Sequence, residues 1–379
     1  MNIRSTELNF ENAVDYHYDQ FPPSNIDYSK LVQPLGAASA ALARYDQMLQ
    51  NMHNSELLLA PLRRQEAVVS SRMEGTISTL DEVLRYEADQ SDDGEKGNLQ
   101  YRSEAIEVFL YHRAMQRAQT AIEEDAPLSD WLLRSAHKIL LGFGRGADKS
   151  PGQYKDEQNY LVDKSRRNVL FIPISPSQLP GGMERFFSFV DNKDWEILTR
   201  TALAHIEFEA LHPFKDGNGR IGRMLITLML WKYGVISAPH FYVSGYLEEK
   251  KDEYIERMRN ASQVGEWTEW CVFFMHALEA QAHNNLRVTE EITVLYDEMK
   301  IVFRDVLSSQ WSTTALDFIF SQPVFRNNRF TGKGGIPKQT ASRFTRLLVD
   351  ADLLVTLEPP SGRRPGLYAF EPLLRLVRG

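Results

Sequence analysis

The sequence predicts a mainly α protein with a small β component and a separate C-terminal module. Three observations carry this. Apolar residues recur at three- and four-residue spacing over 28–86, 99–142 and 197–307. The β-type runs are few and short, NYLV and NVLFI on either side of the charged turn DKSRR. Charge is uneven: residues 322–379 hold ten Arg or Lys against four Asp or Glu, a balance of +6 in a chain whose net charge is −8.

Taken in order, residues 1–30 read as irregular, punctuated by Pro22 and Pro23. A helix over 61–74 has Pro61 in its first turn and Gly75 as its stop. The next starts near Thr79, where Glu82 completes a capping-box pattern. EADQSDDGEKGN, residues 87–98, is polar and acidic and reads as a mobile loop. After the helices of 99–142, NYLV and NVLFI form a hairpin. Residues 197–211 make a helix, and 220–233 make another that is apolar on nearly every side and therefore buried and central, with Gly234 ending it. The tail begins with a short helix over 313–320. An amphipathic helix over 338–353 follows, with Ala341, Phe344, Leu347 and Leu348 on one face. Runs 354–357 and 367–370 then flank the basic turn PPSGRRPG. Helix, helix, hairpin is a winged-helix layout. The expected division is an N-terminal helical region over 1–100, a core over 101–285 and a winged-helix-like domain over 300–379.

Composition excludes several classes. The single cysteine, Cys271, rules out an internal disulfide framework and a cysteine-cluster zinc site. The most apolar run, 224–231, is too short to cross a bilayer, and the first residues have no apolar signal core, so a cytoplasmic protein with no membrane partner is expected. Net acidity argues against indiscriminate nucleic-acid binding by the whole chain.

The chemistry concentrates in HPFKDGNGRIGR, residues 212–223. It contains GxGxxG at Gly217, Gly219 and Gly222, but a dinucleotide fingerprint needs a strand before the glycines and an acid about 20 residues after them. Here LAHIEFEALHPF, with helical periodicity, precedes, and no acid lies over 235–240. The P-loop pattern also fails, because no Gly-Lys-Ser/Thr follows. What remains is helix, tight loop, helix. Gly217 and Gly219 let backbone N–H groups converge on an anion at a helix start. Arg220 and Arg223 fall on one side of the first turn. Asp216 is a hard oxygen ligand suited to Mg²⁺ on phosphate oxygens, and His212 can take a proton near neutral pH. Phe214 reads as the anchor of the loop in the core. His205 and His212 could be read as a metal pair, but they lack the HExxH spacing, and His205 reads as structural.

The stretch resembles the Fic-domain motif, His-x-Phe-x-Asp/Glu-Gly-Asn-Gly-Arg-x-x-Arg, at every fixed position. The hairpin region with PGQYKDEQNY and LFIPISP resembles that family's flap, and PLRRQEAVVSSRMEGT its N-terminal inhibitory helix, so the likeness runs over about 28–278. The resemblance implies a Fic-type helical core with a β-hairpin flap and an enzyme that moves AMP from ATP to a Ser, Thr or Tyr hydroxyl of a target protein or of itself. His212 would be the general base and Asp216 the Mg²⁺ ligand. Gly217, Asn218, Gly219, Arg220, Ile221, Gly222 and Arg223 would form the ATP site, with Tyr254 lining the nucleotide pocket. Related kinases of the Doc type carry Lys at the position of Gly219, which favours AMP transfer over phosphate transfer.

SSRMEG fits the family's inhibitory pattern as Ser70, Glu74 and Gly75. A Glu74 carboxylate against the cradle would take the arginine meant for the γ-phosphate, Arg223, through a charge-assisted pair, and ATP phosphates would be displaced from in-line geometry. Other readings stay open. The same core could remove AMP. The basic tail, through Lys338, Arg343, Arg346, Arg363 and Arg364, could bind DNA, making the chain a DNA-associated nucleotide-sensing regulator, or it could dock protein. Relatives of this kind also pair as homodimers.

Overall fold

The structure, a computed structural model, describes residues 8–90, 102–332, 334–362 and 364–378. Among them the chain is mainly helical, as expected. It opens with β1 (Val14–Asp15) and α1 (Tyr28–Asn51), followed by α2 (Ser55–Leu58), α3 (Ala60–Met73) and α4 (Leu80–Asp89). α3 carries Pro61 in its first turn and stops before Gly75, which turns left-handed at φ 83°. α4 is closed by the expected capping box: the Glu82 N–H donates to Thr79 Oγ1 at 3.2 Å, and the Thr79 N–H donates to Glu82 Oε2 at 2.8 Å.

Then come α5 (Ser103–Glu123), α6 (Asp130–Leu140), β2 (Leu161–Val162), β3 (Val169–Ile172), α7 (Leu179–Val190), α8 (Ile197–Leu211) and α9 (Asn218–Lys232). α10 (Ser244–Glu249), α11 (Lys251–Val264) and the long α12 (Trp267–Leu307) follow. The tail is α13 (Ser312–Ser321), β4 (Val324–Arg326), α14 (Arg329–Gly332), α15 (Lys338–Asp350), β5 (Val355–Glu358), β6 (Leu367–Ala369) and α16 (Glu371–Arg378).

Contacts divide the chain into two compact units, 1–46 with 113–283, and 47–112 with 284–379. In the first, α8 is the centre. Every residue from Leu198 to Leu211 is buried, Arg200, Glu207 and Glu209 included, and α7 and α9 pack against it; α9, the helix expected to be buried from its apolar sides, is buried from Asn218 to Leu230. The β2–β3 hairpin is antiparallel, with the Asp163 carboxylate organising its turn by accepting from Ser165, Arg167 and Asn168. Those bonds hold its pKa down at about 2. Residues 1–30 depart from the irregular reading, because β1 pairs in parallel with β3, Val14 opposite Phe171. A two-residue strand has no periodicity to read, and its partner lies far along the chain. Beside it, Tyr16 Oη donates to Glu207 Oε1 at 2.7 Å, and the His17 ring bonds Glu207 Oε2 at 2.7 Å and Ser262 Oγ at 2.8 Å, all buried, which ties this strand to α8 and α11.

In the second unit the tail folds as helix, strand, helices, hairpin, with a sheet in the order β4-β6-β5 that also includes a strand and a closing helix beyond the sequence reading. The segment expected to be a loop from residue 87 is helical through Asp89. Glu87 and Asp89 are helical because arginines hold their carboxylates: half-buried Arg64 Nε lies 2.6 Å from Glu87, and buried Arg326 grips Asp89 with two nitrogens at 2.5 and 3.2 Å. Residues 91–98 of that segment lie outside the described residues.

Candidate active site

α8 ends because the chain turns left-handed at His212 (φ 44°, ψ 59°), a conformation that costs a non-glycine residue about 1 kcal/mol. The loop of 213–217 leads to Gly217 (φ 80°), and α9 begins at Asn218. Three braces hold this loop. Phe214, fully buried, stacks on the His137 ring of α6 with centroids 3.7 Å apart and planes 7° from parallel. The Asn218 side chain accepts from the Phe214 N–H and donates to the Phe214 carbonyl, both at 2.8 Å. His137 accepts the Gly152 N–H at Nδ1 (2.8 Å), so its proton sits on Nε2 and is donated to the Asp216 carbonyl (2.9 Å). Burial pushes the His137 pKa down to about 4, against the pull of that carbonyl, which keeps the ring neutral.

The His212 ring is oriented by Nδ1 against the Glu209 carbonyl at 3.3 Å. A carbonyl only accepts, so Nδ1 carries the proton and Nε2 is the basic nitrogen. Beside it, α9 has no side-chain cap, and its first turn offers backbone N–H groups with the positive end of the helix dipole. Asp216 Oδ1 accepts the Gly217 N–H at 2.6 Å and lies 3.6 Å from Arg220. Its side chain stays 26% exposed, a single reachable carboxylate. Among the described residues no cluster of three His, Cys, Asp or Glu could hold a metal. That donor set does not fit a caged metal, but it fits Mg²⁺ arriving on nucleotide phosphates, which needs only one or two carboxylates from protein.

The sequence-predicted motif residues come together on this one loop and helix start, with Arg220 and Arg223 1% and 2% exposed. Gly222 is a packing position: a Cβ there would meet Glu209 Oε1 at 2.3 Å and the His205 ring at 3.3 Å. Gly222→Ala is therefore expected to lower stability by about 1–3 kcal/mol through overpacking, read as a shifted denaturant midpoint; an unmoved midpoint would show that α8 and α9 can part at no cost. His205 is structural, as expected. Its Nδ1 donates to the Gly222 carbonyl at 3.1 Å and its Nε2 accepts the Tyr254 hydroxyl at 2.7 Å. Burial, helped by the charge on Arg223, pushes its pKa down to about 3. Tyr254 is itself buried and reaches the motif through His205.

Glu74 belongs to the other unit. It is half-buried at the C-cap of α3, beside the buried Ser70 and just before the left-handed Gly75. Of the basic tail residues, Lys338, Arg343 and Arg346 are exposed on α15, whereas Arg364 pairs with Glu358 at 3.1 Å and Asp89 at 3.5 Å. Arg363 lies outside the described residues. The sequence reading missed His137, Lys155 and Asn159, which brace the loop from 53 to 79 residues away and have no local signal.

The fold and the loop together define a Fic-type helical protein. The Fic/DOC family N-terminal model matches residues 32–120 and the Fic/DOC family model residues 127–230, together about half of the chain. The chain belongs to the Fic/DOC family. It is similar to a probable protein adenylyltransferase of Aquifex aeolicus, 23% identical over 209 residues, covering 55% of this chain and 58% of the relative. It is also similar to a uridine 5'-monophosphate transferase of Xanthomonas campestris, 24% identical over 235 residues, covering 57% of this chain and 43% of the relative. The chain thus spans about half the length of these curated relatives. A solved Fic family protein from Desulfovibrio desulfuricans shares the fold, with a TM-score of 0.60 at 19% identity over 92% of this chain and 98% of that one. No helix among the described residues is long and apolar enough to cross a membrane.

Proposed function

We propose that this chain transfers AMP from ATP to a hydroxyl group of a protein. The observation that carries the reading is the His212 Nδ1 bond to the Glu209 carbonyl, which leaves Nε2 as the basic nitrogen on the residue that leads into the loop before an uncapped helix start. Nε2 takes the proton of a Ser, Thr or Tyr hydroxyl as its oxygen bonds to the α-phosphorus. The bond from that phosphorus to the bridging oxygen breaks, and pyrophosphate leaves. The N–H groups of Asn218 and Gly219 stabilise the charge that develops, joined by that of Gly217 once Asp216 Oδ1 gives it up, and Arg220 and Arg223 hold the outer phosphates. Asp216 is the carboxylate that would hold Mg²⁺, which when bound supplies positive charge to the departing pyrophosphate. Glu74 is read as an intramolecular brake on this site.

The test uses ATP labelled at the α- or the γ-phosphate, with the Glu74→Gly chain and candidate protein acceptors, the chain itself included. Label on protein from the α-position alone is expected; γ-label on protein would mean phosphate transfer and overturn the assignment. A second reading, UMP transfer, is favoured by the Xanthomonas relative, and α-labelled UTP in the same assay decides it. For the tail we read a winged-helix module from the order of its elements. Its Arg364 reaches a DNA phosphate only by leaving two acids, so protein docking is the better-supported role.

A further inference from the structure

Carbonyl groups past the end of a helix have no partner four residues on, and each must find a donor elsewhere. At the end of α8 these are the carbonyls of Leu211, His212, Pro213 and Phe214, the stretch that carries the basic histidine. All four are met from one short segment, Lys155 to Asn159. Lys155 Nζ donates to the Leu211 carbonyl at 3.1 Å, and the Lys155 backbone N–H donates to the Pro213 carbonyl at 2.8 Å. Asn159 Nδ2 donates to the His212 carbonyl at 3.2 Å and to the Phe214 carbonyl at 3.1 Å. The two side chains are joined, because Lys155 Nζ also donates to Asn159 Oδ1 at 2.8 Å. That bond fixes the amide so that Nδ2 faces the loop. Lys155 is 4% exposed, an unusual place for a lysine. Burial pushes its pKa down to about 7. An ammonium and a neutral amine both retain the two N–H donors that two acceptors need, so the arrangement survives either protonation state.

A left-handed residue that is not glycine persists only where its surroundings determine it. His212 is such a residue, and the carbonyls before, at and after it are each held from outside the motif. We propose that Lys155 and Asn159 are positioning residues that set the backbone, and so the ring, of His212 for proton transfer. The proposal rests on the reading of His212 as the base. The pair makes no described hydrogen bond to the arginines and meets the α9 start only through the Phe214 carbonyl it shares with Asn218, so its effect is expected on the histidine more than on nucleotide binding.

The experiment compares Lys155→Met, Lys155→Arg and Asn159→Leu, each in the Glu74→Gly chain. Lys155→Met and Asn159→Leu keep approximate shape and remove the donors. Both are expected to lower kcat for label transfer by about 10²-fold, the scale of a small misplacement of a reacting group, while KM for ATP and its calorimetric affinity stay as in the parent. Lys155→Arg restores donors and is expected to recover most of kcat. In parallel, hydrogen exchange is followed at the His212 and Phe214 amides, which bond to the Phe208 carbonyl and to Asn218 Oδ1; it is expected to quicken in the two donor-free variants. Parent-like kcat, or losses in kcat and ATP affinity together that arginine does not rescue, would overturn the proposal. Quickened exchange with no transfer by the parent would sink the transferase reading and leave the loop hold standing, whereas parent-like exchange would remove the hold itself.

Discussion

Glu74→Gly is expected to raise label transfer from α-labelled ATP by about tenfold or more, the factor equivalent to the roughly 1.5–3 kcal/mol contributed by a hydrogen bond between charged groups. The expectation rests on the proposed brake: a Glu74 carboxylate that took Arg223 would displace nucleotide phosphates from in-line geometry, and its removal would return the arginine to the substrate. Glu74 also has a place at a helix end. It caps the C-terminal end of α3, where its N–H donates to the Ser71 carbonyl at 3.1 Å. An acid there faces the negative end of the helix dipole, which disfavours it by about 0.3–1 kcal/mol. The thermal midpoint of Glu74→Gly is measured beside wild type, because glycine also gives the unfolded chain more freedom. A gain in transfer without a loss of stability therefore identifies a brake, whereas equal transfer by wild type and variant would remove Glu74 from the regulatory account.

Replacing His212 in that released background is expected to lower the rate of transfer by about 10²–10⁴-fold, the range contributed by a positioned general base. Asparagine is the better substitution than alanine. It tolerates the left-handed backbone that His212 adopts, so the loop geometry is kept while the basic nitrogen is lost. ATP affinity should be retained, because the phosphates meet backbone N–H groups and arginines that the substitution leaves in place. Transfer by His212→Asn at the parent rate would mean that another group accepts the proton. Loss of transfer together with loss of ATP binding would mean that the histidine is part of the phosphate site.

Much of the site could be read along the chain because its parts are contiguous. The helix before His212, the glycines that turn the loop and the arginines of the first two turns of α9 lie within one run, and helix periodicity and turn chemistry are local signals. Phe214 could be read the same way, as a large apolar residue in a polar loop, and it is fully buried. The capping box at Thr79 and the stop at Gly75 were legible for the same reason.

Other features answer to partners far along the chain. Glu87 and Asp89 look like the start of an acidic loop until Arg64 and Arg326 neutralise them, and the helix then runs on through both. Tyr254 is placed at the nucleotide pocket only by resemblance to the family, and folding joins its hydroxyl to His205 in a buried aromatic cluster. By itself the sequence determined the helical class, the hairpin, the family motif and the order of chemical groups from His212 to Arg223. Tertiary structure alone decided the pairing of β1 with β3, the tautomers of His137 and His212, and the bracing of the loop by Lys155, Asn159 and His137. The reason is physical: periodicity and capping depend on neighbours within a few residues, whereas satisfying a buried carbonyl or orienting an imidazole depends on whichever donor folding brings within about 3 Å.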